Sequence, residues 1–154
     1  MKSNILDDLK AVPLLAGLSE PLLEQIATFS RIRVVRAGET IFCQGEPSPY
    51  CFVIIRGQVS IQRVSVDRRH PAKLLSLLGA GDFFGESALF DDCARVVMAS
   101  ATQEGQLIAI SGTRWREWIR KDAAASVPLL MGLLQNMMAR LQQASADLAA
   151  HPGN

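Results

Sequence analysis

The feature that most constrains this chain is the change of pattern in its middle. Between Arg31 and Ser111, short runs rich in Val, Ile and Phe are separated by glycine-marked turns. The runs are Ile32–Val35, Thr40–Cys43, Cys51–Arg56, Val59–Ser65, Lys73–Leu78, Val96–Ala101 and Gln106–Ser111. Turn signals fall at Ala37-Gly38, Gly45, Gly57, Asp67–Pro71, Gly79–Gly81 and Gln103–Gly105. Many short strands at this spacing predict an antiparallel β-sandwich or jelly-roll barrel. No helical pattern alternates with the runs, which argues against a parallel sheet.

Both flanks read as helix. Leu6, Leu9, Leu14, Leu15, Leu18, Leu22, Leu23 and Ile26 keep a rough helical period, broken by Pro13 and Gly17. Ser19 suits an N-cap, with Pro21 in the first turn. After Ser111, Thr113 can cap a short helix carrying Trp115, Trp118 and Ile119, and Ser126 can cap a long one. Arg114, Arg116, Arg120 and Lys121 read as the wet face of that short helix, and Arg68-Arg69-His70 as a solvated hairpin tip. The expected class is α+β: a jelly-roll barrel over 31–111, short helices over 12–30 and C-terminal helices over 113–150, in one domain spanning 1–154.

The last helix carries a heptad thread, Val127, Leu134, Leu141 and Leu148, and a second, Met131, Met138 and Ser145. Between Ser126 and Ala150 only Arg140 and Asp147 are charged. So apolar a helix must lie on the barrel, on a second copy of itself, or on both. A homodimer through the first thread is the expectation.

Charge sets further limits. Lys plus Arg number 16 against 15 for Asp plus Glu, a net charge of +1. That balance provides no general attraction to nucleic acid or to anionic membrane, so any anion site must be local. Three cysteines, Cys43, Cys51 and Cys93, show no CxxC pairing, and His70 and His151 are far apart, which disfavours a metal framework. The odd cysteine count and an N-terminus without an apolar signal segment point to a cytoplasmic location. No apolar run reaches the ~18 residues of a membrane span. An acid–base or metal-based catalytic set is not evident, so a non-enzymatic role is expected.

The stretch that carries chemistry is Gly79 to Ala101, GAGDFFGESALFDDCARVVMASA. Its glycines do not match a dinucleotide fingerprint, because Gly85 falls one residue late and no long helix follows. A plain glycine turn before another strand is one reading. The other takes Ser87–Phe90 as a single helical turn whose unpaired amides suit a phosphate. Ala88 is small enough to let the backbone approach. Arg95, nine residues after Glu86, can return to the same anion and fork onto it, with Asp91 and Asp92 marking the intervening turn. Glu86 would repel a phosphate and needs a hydroxyl, which a ribose supplies.

Phe84-Gly85-Glu86-Ser87-Ala88-Leu89 followed by Arg95 resembles the phosphate-binding cassette of the cyclic nucleotide-binding domain family, which includes catabolite activator-like regulators and cAMP-dependent kinase regulatory subunits. Gly38-Glu39-x-Ile41-Phe42-x-Gln44-Gly45-Glu46, Phe52-Val53-Ile54-x-x-Gly57 and Leu78-Gly79-x-Gly81-Asp82 resemble other marks of that family, over about residues 12–148. The resemblance implies a cassette at 84–97 in which Glu86 accepts a ribose 2′-hydroxyl and Arg95 pairs with a cyclic phosphate. It further implies that the amides of Ser87, Ala88 and Val96 complete the cradle, that Gly85 lines the ribose and that Ser145 on the last helix faces the base. Ala94 stands where kinase-type members carry proline, and Ala144 replaces the first of two base-contacting hydroxyl residues. Val96 lacks the hydroxyl that cGMP-preferring members carry, which favours cAMP over cGMP.

The implied function is a non-catalytic cyclic nucleotide sensor that signals by moving its C-terminal helix, with no cofactor beyond the nucleotide and with an unnamed downstream protein. Only four residues follow Ala150, leaving no room for the helix-turn-helix domain of catabolite activator-like regulators. A stand-alone domain or a piece of a larger protein is therefore expected, without direct DNA binding. The alternative is a dimerisation or scaffold module with a vestigial pocket.

Overall fold

Residues 4–67 and 69–151 are described by the computed structural model; Arg68 of the basic hairpin run and the residues after His151 lie outside them. Pro13 and Gly17 break the N-terminal apolar stretch into α1 (Ile5–Lys10), a 3-10 turn (Pro13–Leu15) and α2 (Glu20–Thr28). Pro21 sits in the first turn of α2 as expected, although Ser19 caps it without a side-chain hydrogen bond.

Eight strands follow: β1 (Ser30–Val35), β2 (Thr40–Phe42), β3 (Tyr50–Arg56), β4 (Val59–Arg63), β5 (Lys73–Leu78), β6 (Phe83–Phe84), β7 (Met98–Ala101) and β8 (Gly105–Ser111). They form two antiparallel four-stranded sheets, ordered β1-β8-β3-β6 and β2-β7-β4-β5. Seven were expected with ends shifted by a few residues; β6 was not, because two residues show no alternation. Strands β3 and β8 read as nearly continuous apolar runs because both of their faces are covered. Phe52, Ile54, Leu107 and Ala109 face the second sheet, while Cys51, Val53, Ile108 and Ile110 pack against the helices. Two cores result, one between the sheets and one between the first sheet and the helical layer.

Helix α3 (Gly112–Lys121) and helix α4 (Ala123–Ala150) complete the chain. Their caps correct the sequence reading. Ser111, rather than Thr113, accepts the Arg114 amide, and Asp122, rather than Ser126, accepts the Ala125 amide. Ser126 is buried inside α4 and its hydroxyl donates to the Ala123 carbonyl. The α4 surface divides as the apolar pattern required. Leu129 and Leu133 are buried in the helical core. Gly132 lies so close to Leu14 that a Cβ there would sit 2.7 Å from its Cδ1. Val127, Met131, Leu134, Met138, Leu141 and Leu148 stay exposed. No helix among the described residues is long and apolar enough to cross a membrane.

Candidate functional site

The site begins where β6 pairs with β3, Phe84 opposite Phe52. The chain must then turn sharply, and Gly85 does so in the left-handed region at φ 73°. Glycine is required twice over. The conformation disfavours a side chain, and a Cβ would lie 2.7 Å from Arg95 Nη1. Glu86–Leu89 follow as a single 3-10 turn, the short helical piece expected from the sequence. Ala88 and Leu89 are buried, so the turn is anchored by its rear face. The Ala88 amide, expected to be free for an anion, already donates to the Gly85 carbonyl at 3.2 Å. The Ser87 hydroxyl lies 3.4 Å from that of Ser48.

Arg95 returns to this turn. Its backbone is clamped against the loop after β2: Gly45 donates to its carbonyl at 2.7 Å, and its amide donates to the Glu46 carbonyl at 2.8 Å. The residue is only 4% exposed. Nη1 donates to the Gly85 carbonyl at 3.1 Å and Nη2 to the Tyr50 carbonyl, while the guanidinium carbon lies 4.0 Å from the Phe42 ring centroid. Nε is buried without a partner. Among the described residues no carboxylate forms an ion pair with Arg95. Burial lowers its pKa from the ordinary guanidinium value. Here is a desolvated cation held by neutral carbonyls and an aromatic face, a costly arrangement that an anion would relieve.

Glu86, close enough for its charge to act on Arg95, has a different hydrogen-bond partner. Its carboxylate receives Arg140 Nη1 from α4, and Arg140 Nη2 donates to the Phe83 carbonyl. Glu86 thus sits on the turn and Arg95 packs against its start, and each has its own neighbours. The buried Cys51 thiol senses both. Burial pushes its pKa well up, the Glu86 charge adds to this, and Arg95 and Arg140 oppose it.

Two residues that contact the cassette escaped the sequence reading. Arg140 joins the long helix to the cassette; its signal was its isolation, one of two charges in an otherwise uncharged helix. Arg116, read as solvent-facing, instead reaches back to the cassette. Nη1 donates to the Ala88 carbonyl and Nη2 to Asp92 Oδ1, both at 2.7 Å. Val96 is exposed beside Arg95. Ser145 stays outside the cluster. It is exposed, and at ~100° per residue it lies about 140° around α4 from Arg140.

The chain matches the profile of the "Cyclic nucleotide-binding domain" over residues 32–122. It is 33% identical over 112 residues to a CRP-like cAMP-activated global transcriptional regulator of Mycobacterium tuberculosis, covering 73% of this chain and 47% of that protein. It is 28% identical over 141 residues to the cyclic AMP receptor protein of Thermus thermophilus, covering 91% and 62%. The chain therefore spans about half to three-fifths of the length of these curated relatives. Its fold matches a cyclic nucleotide-binding domain from Methylobacillus flagellatus with a TM-score of 0.79 at 17% identity, covering 95% of this chain and 81% of that one. With its paired four-stranded sheets, its glycine-led turn and its returning arginine, this chain belongs to the cyclic nucleotide-binding domain family.

Proposed function

We propose that the domain is a non-catalytic sensor for a cyclic nucleotide, cAMP in preference to cGMP. The observation that carries this reading is the buried Arg95 guanidinium, which has an unpartnered Nε and no carboxylate paired to it. A cyclic phosphodiester brings one negative charge to a buried positive charge that forms no ion pair among the described residues. The Glu86 carboxylate, on the same turn, accepts the ribose 2′-hydroxyl. Gly85 keeps the turn free of a side chain, and in this reading the amides of Ser87 and Val96 are assigned to the phosphate. The preference for cAMP rests on Val96, which has no hydroxyl for a guanine amino group, and on the cAMP named for both curated relatives.

Signalling follows from Arg140. It ties α4 to Glu86 and to Phe83. A ribose that competes for Glu86 changes the hold of the cassette on α4, so ligand and helix position become linked equilibria. The exposed Val127, Leu134, Leu141 and Leu148 suit a homodimer through α4, which would carry the helix movement to a second chain and a downstream protein. A cytoplasmic setting, where cyclic nucleotides are made and thiols stay reduced, fits the three unbridged cysteines.

Titration calorimetry with cAMP and cGMP tests the reading. Binding by the native chain, lost in Arg95→Met, supports it; no heat with either nucleotide favours instead a dimerisation module with a vestigial pocket, for which the exposed heptad speaks.

A further inference from the structure

The rear of the cassette is built as deliberately as its front. In the 3-10 turn Glu86–Leu89 the Ser87 carbonyl accepts from the Phe90 and Asp91 amides, while the Ala88 carbonyl takes its donor from outside the turn. Helix α3 provides it. Gly112 at its start approaches so closely that a Cβ would sit 2.1 Å from the Ala88 carbonyl oxygen. One turn later Arg116 donates to that same oxygen and, through its other nitrogen, to Asp92 in the loop that leads to Arg95. The Arg116 side chain is 16% exposed, whereas Asp92 is 76% exposed. A long cationic side chain is thus drawn out of water to bridge the two parts of the cassette.

We propose that Arg116 is a positioning residue: it fixes the Ala88 turn relative to the Asp92–Arg95 loop and ties both to α3, so that nucleotide binding is felt by that helix. The inference rests on the cyclic nucleotide reading above. It names the coupling element of that same site, and it is separate from the Arg140 contact to Glu86. Spacing between the turn and Arg95 decides whether one phosphate can meet both. A planar fork that grips a carbonyl and a carboxylate sets that spacing better than a point charge. Because α3 runs into α4 through Asp122, a shift of the cassette is passed along the helical layer.

The chain has two tryptophans, Trp115 and Trp118, and both lie on α3 beside Arg116. Their fluorescence therefore reports on the helix that the inference says must respond. The 154-residue chain is titrated with cAMP and followed by calorimetry and by tryptophan emission. Arg116→Ala should weaken binding about ten- to a hundredfold, by analogy with the loss when a residue that orients a metal ligand is removed. It should also reduce the emission change at saturating nucleotide. Asp92→Ala, at an exposed position, keeps the fold testable if Arg116→Ala does not fold; it should give a smaller loss of the same two kinds. Arg116→Lys, which keeps the charge on a single nitrogen without the planar fork, should recover part of the affinity.

A merely structural arginine would lower the melting temperature and leave the saturated emission change intact. That result, or native behaviour of Arg116→Lys and Asp92→Ala together, overturns the inference while the cyclic nucleotide reading stands. Native protein that binds neither cAMP nor cGMP removes the reading and the inference with it.

Discussion

Replacing Arg95 by methionine separates a binding role from a structural one. In the free domain the change has opposing parts. Removing the guanidinium of this residue, which is 4% exposed as a whole, relieves a desolvation penalty of several kcal/mol. Against this, the Gly85 and Tyr50 carbonyls lose charged donors worth about 1.5–3 kcal/mol each. The contact with the Phe42 ring, about 2 kcal/mol when desolvated, is lost as well, although the methionine stem still packs there. The gains and losses are of similar size, so free-state stability should change by no more than about 2 kcal/mol, a shift of roughly 4–8 °C in either direction at this length. The bound state has no such compensation. Withdrawing the partner of a desolvated anion costs about 2–5 kcal/mol, or about 30- to 4000-fold in affinity. Thermal melts of the free protein and calorimetry with cAMP measure the two effects separately. Native affinity in Arg95→Met refutes the site assignment. A collapse of the free fold would show instead that Arg95 is a structural strut.

Glu86→Gln keeps the shape of the carboxylate but removes its charge, so calorimetry should show cAMP binding weakened by about 1.5–3 kcal/mol, roughly 10- to 150-fold. Gly85→Ala places a Cβ against Arg95 Nη1 in a left-handed turn; a loss of at least about 1–2 kcal/mol, read in denaturant unfolding, should come with weaker nucleotide binding. Leu134→Glu and Leu141→Glu act at side chains that are 55% and 61% exposed. Sedimentation should show a dimer becoming a monomer with an unchanged fold, and a native protein that already sediments as a monomer would defeat this expectation. Glu39 is held below the usual carboxylate range, first by the Arg36 amide and then by Arg33. Its contribution to stability is therefore present at neutral pH and lost as pH falls through the lowered value, a dependence that should be absent from melts of Glu39→Gln.

The sheets were legible because their strands obey local rules. Runs such as Phe52–Ile55 and Leu107–Ile110 are apolar, β-branched and bounded by glycine, so they declare themselves without tertiary information. The turn at Gly85–Leu89 was legible for the same reason, since residue types and spacing within eleven positions define it. What failed was long-range. Phe83–Phe84 is a strand only because β3 lies beside it. Ser111 and Asp122 outcompete Thr113 and Ser126 as caps because the chain arrives there from β8 and from α3. Arg116 was misread because helical periodicity gives the direction of a Cβ and not the reach of a six-atom side chain, which here bends back 28 positions to Ala88. Arg140 reaches 54 positions back to Glu86, a pairing that no local pattern encodes.

Heat stability in the presence of nucleotides addresses the whole account at once. At a concentration 100 times its dissociation constant a ligand adds about 2.7 kcal/mol to the folded state, which at this length corresponds to roughly 5–11 °C. The account predicts that cAMP raises the midpoint by that much, cGMP by less, and 5′-AMP, with its open dianionic phosphate, hardly at all. Equal midpoints with and without cAMP and cGMP, at millimolar concentrations, would contradict it.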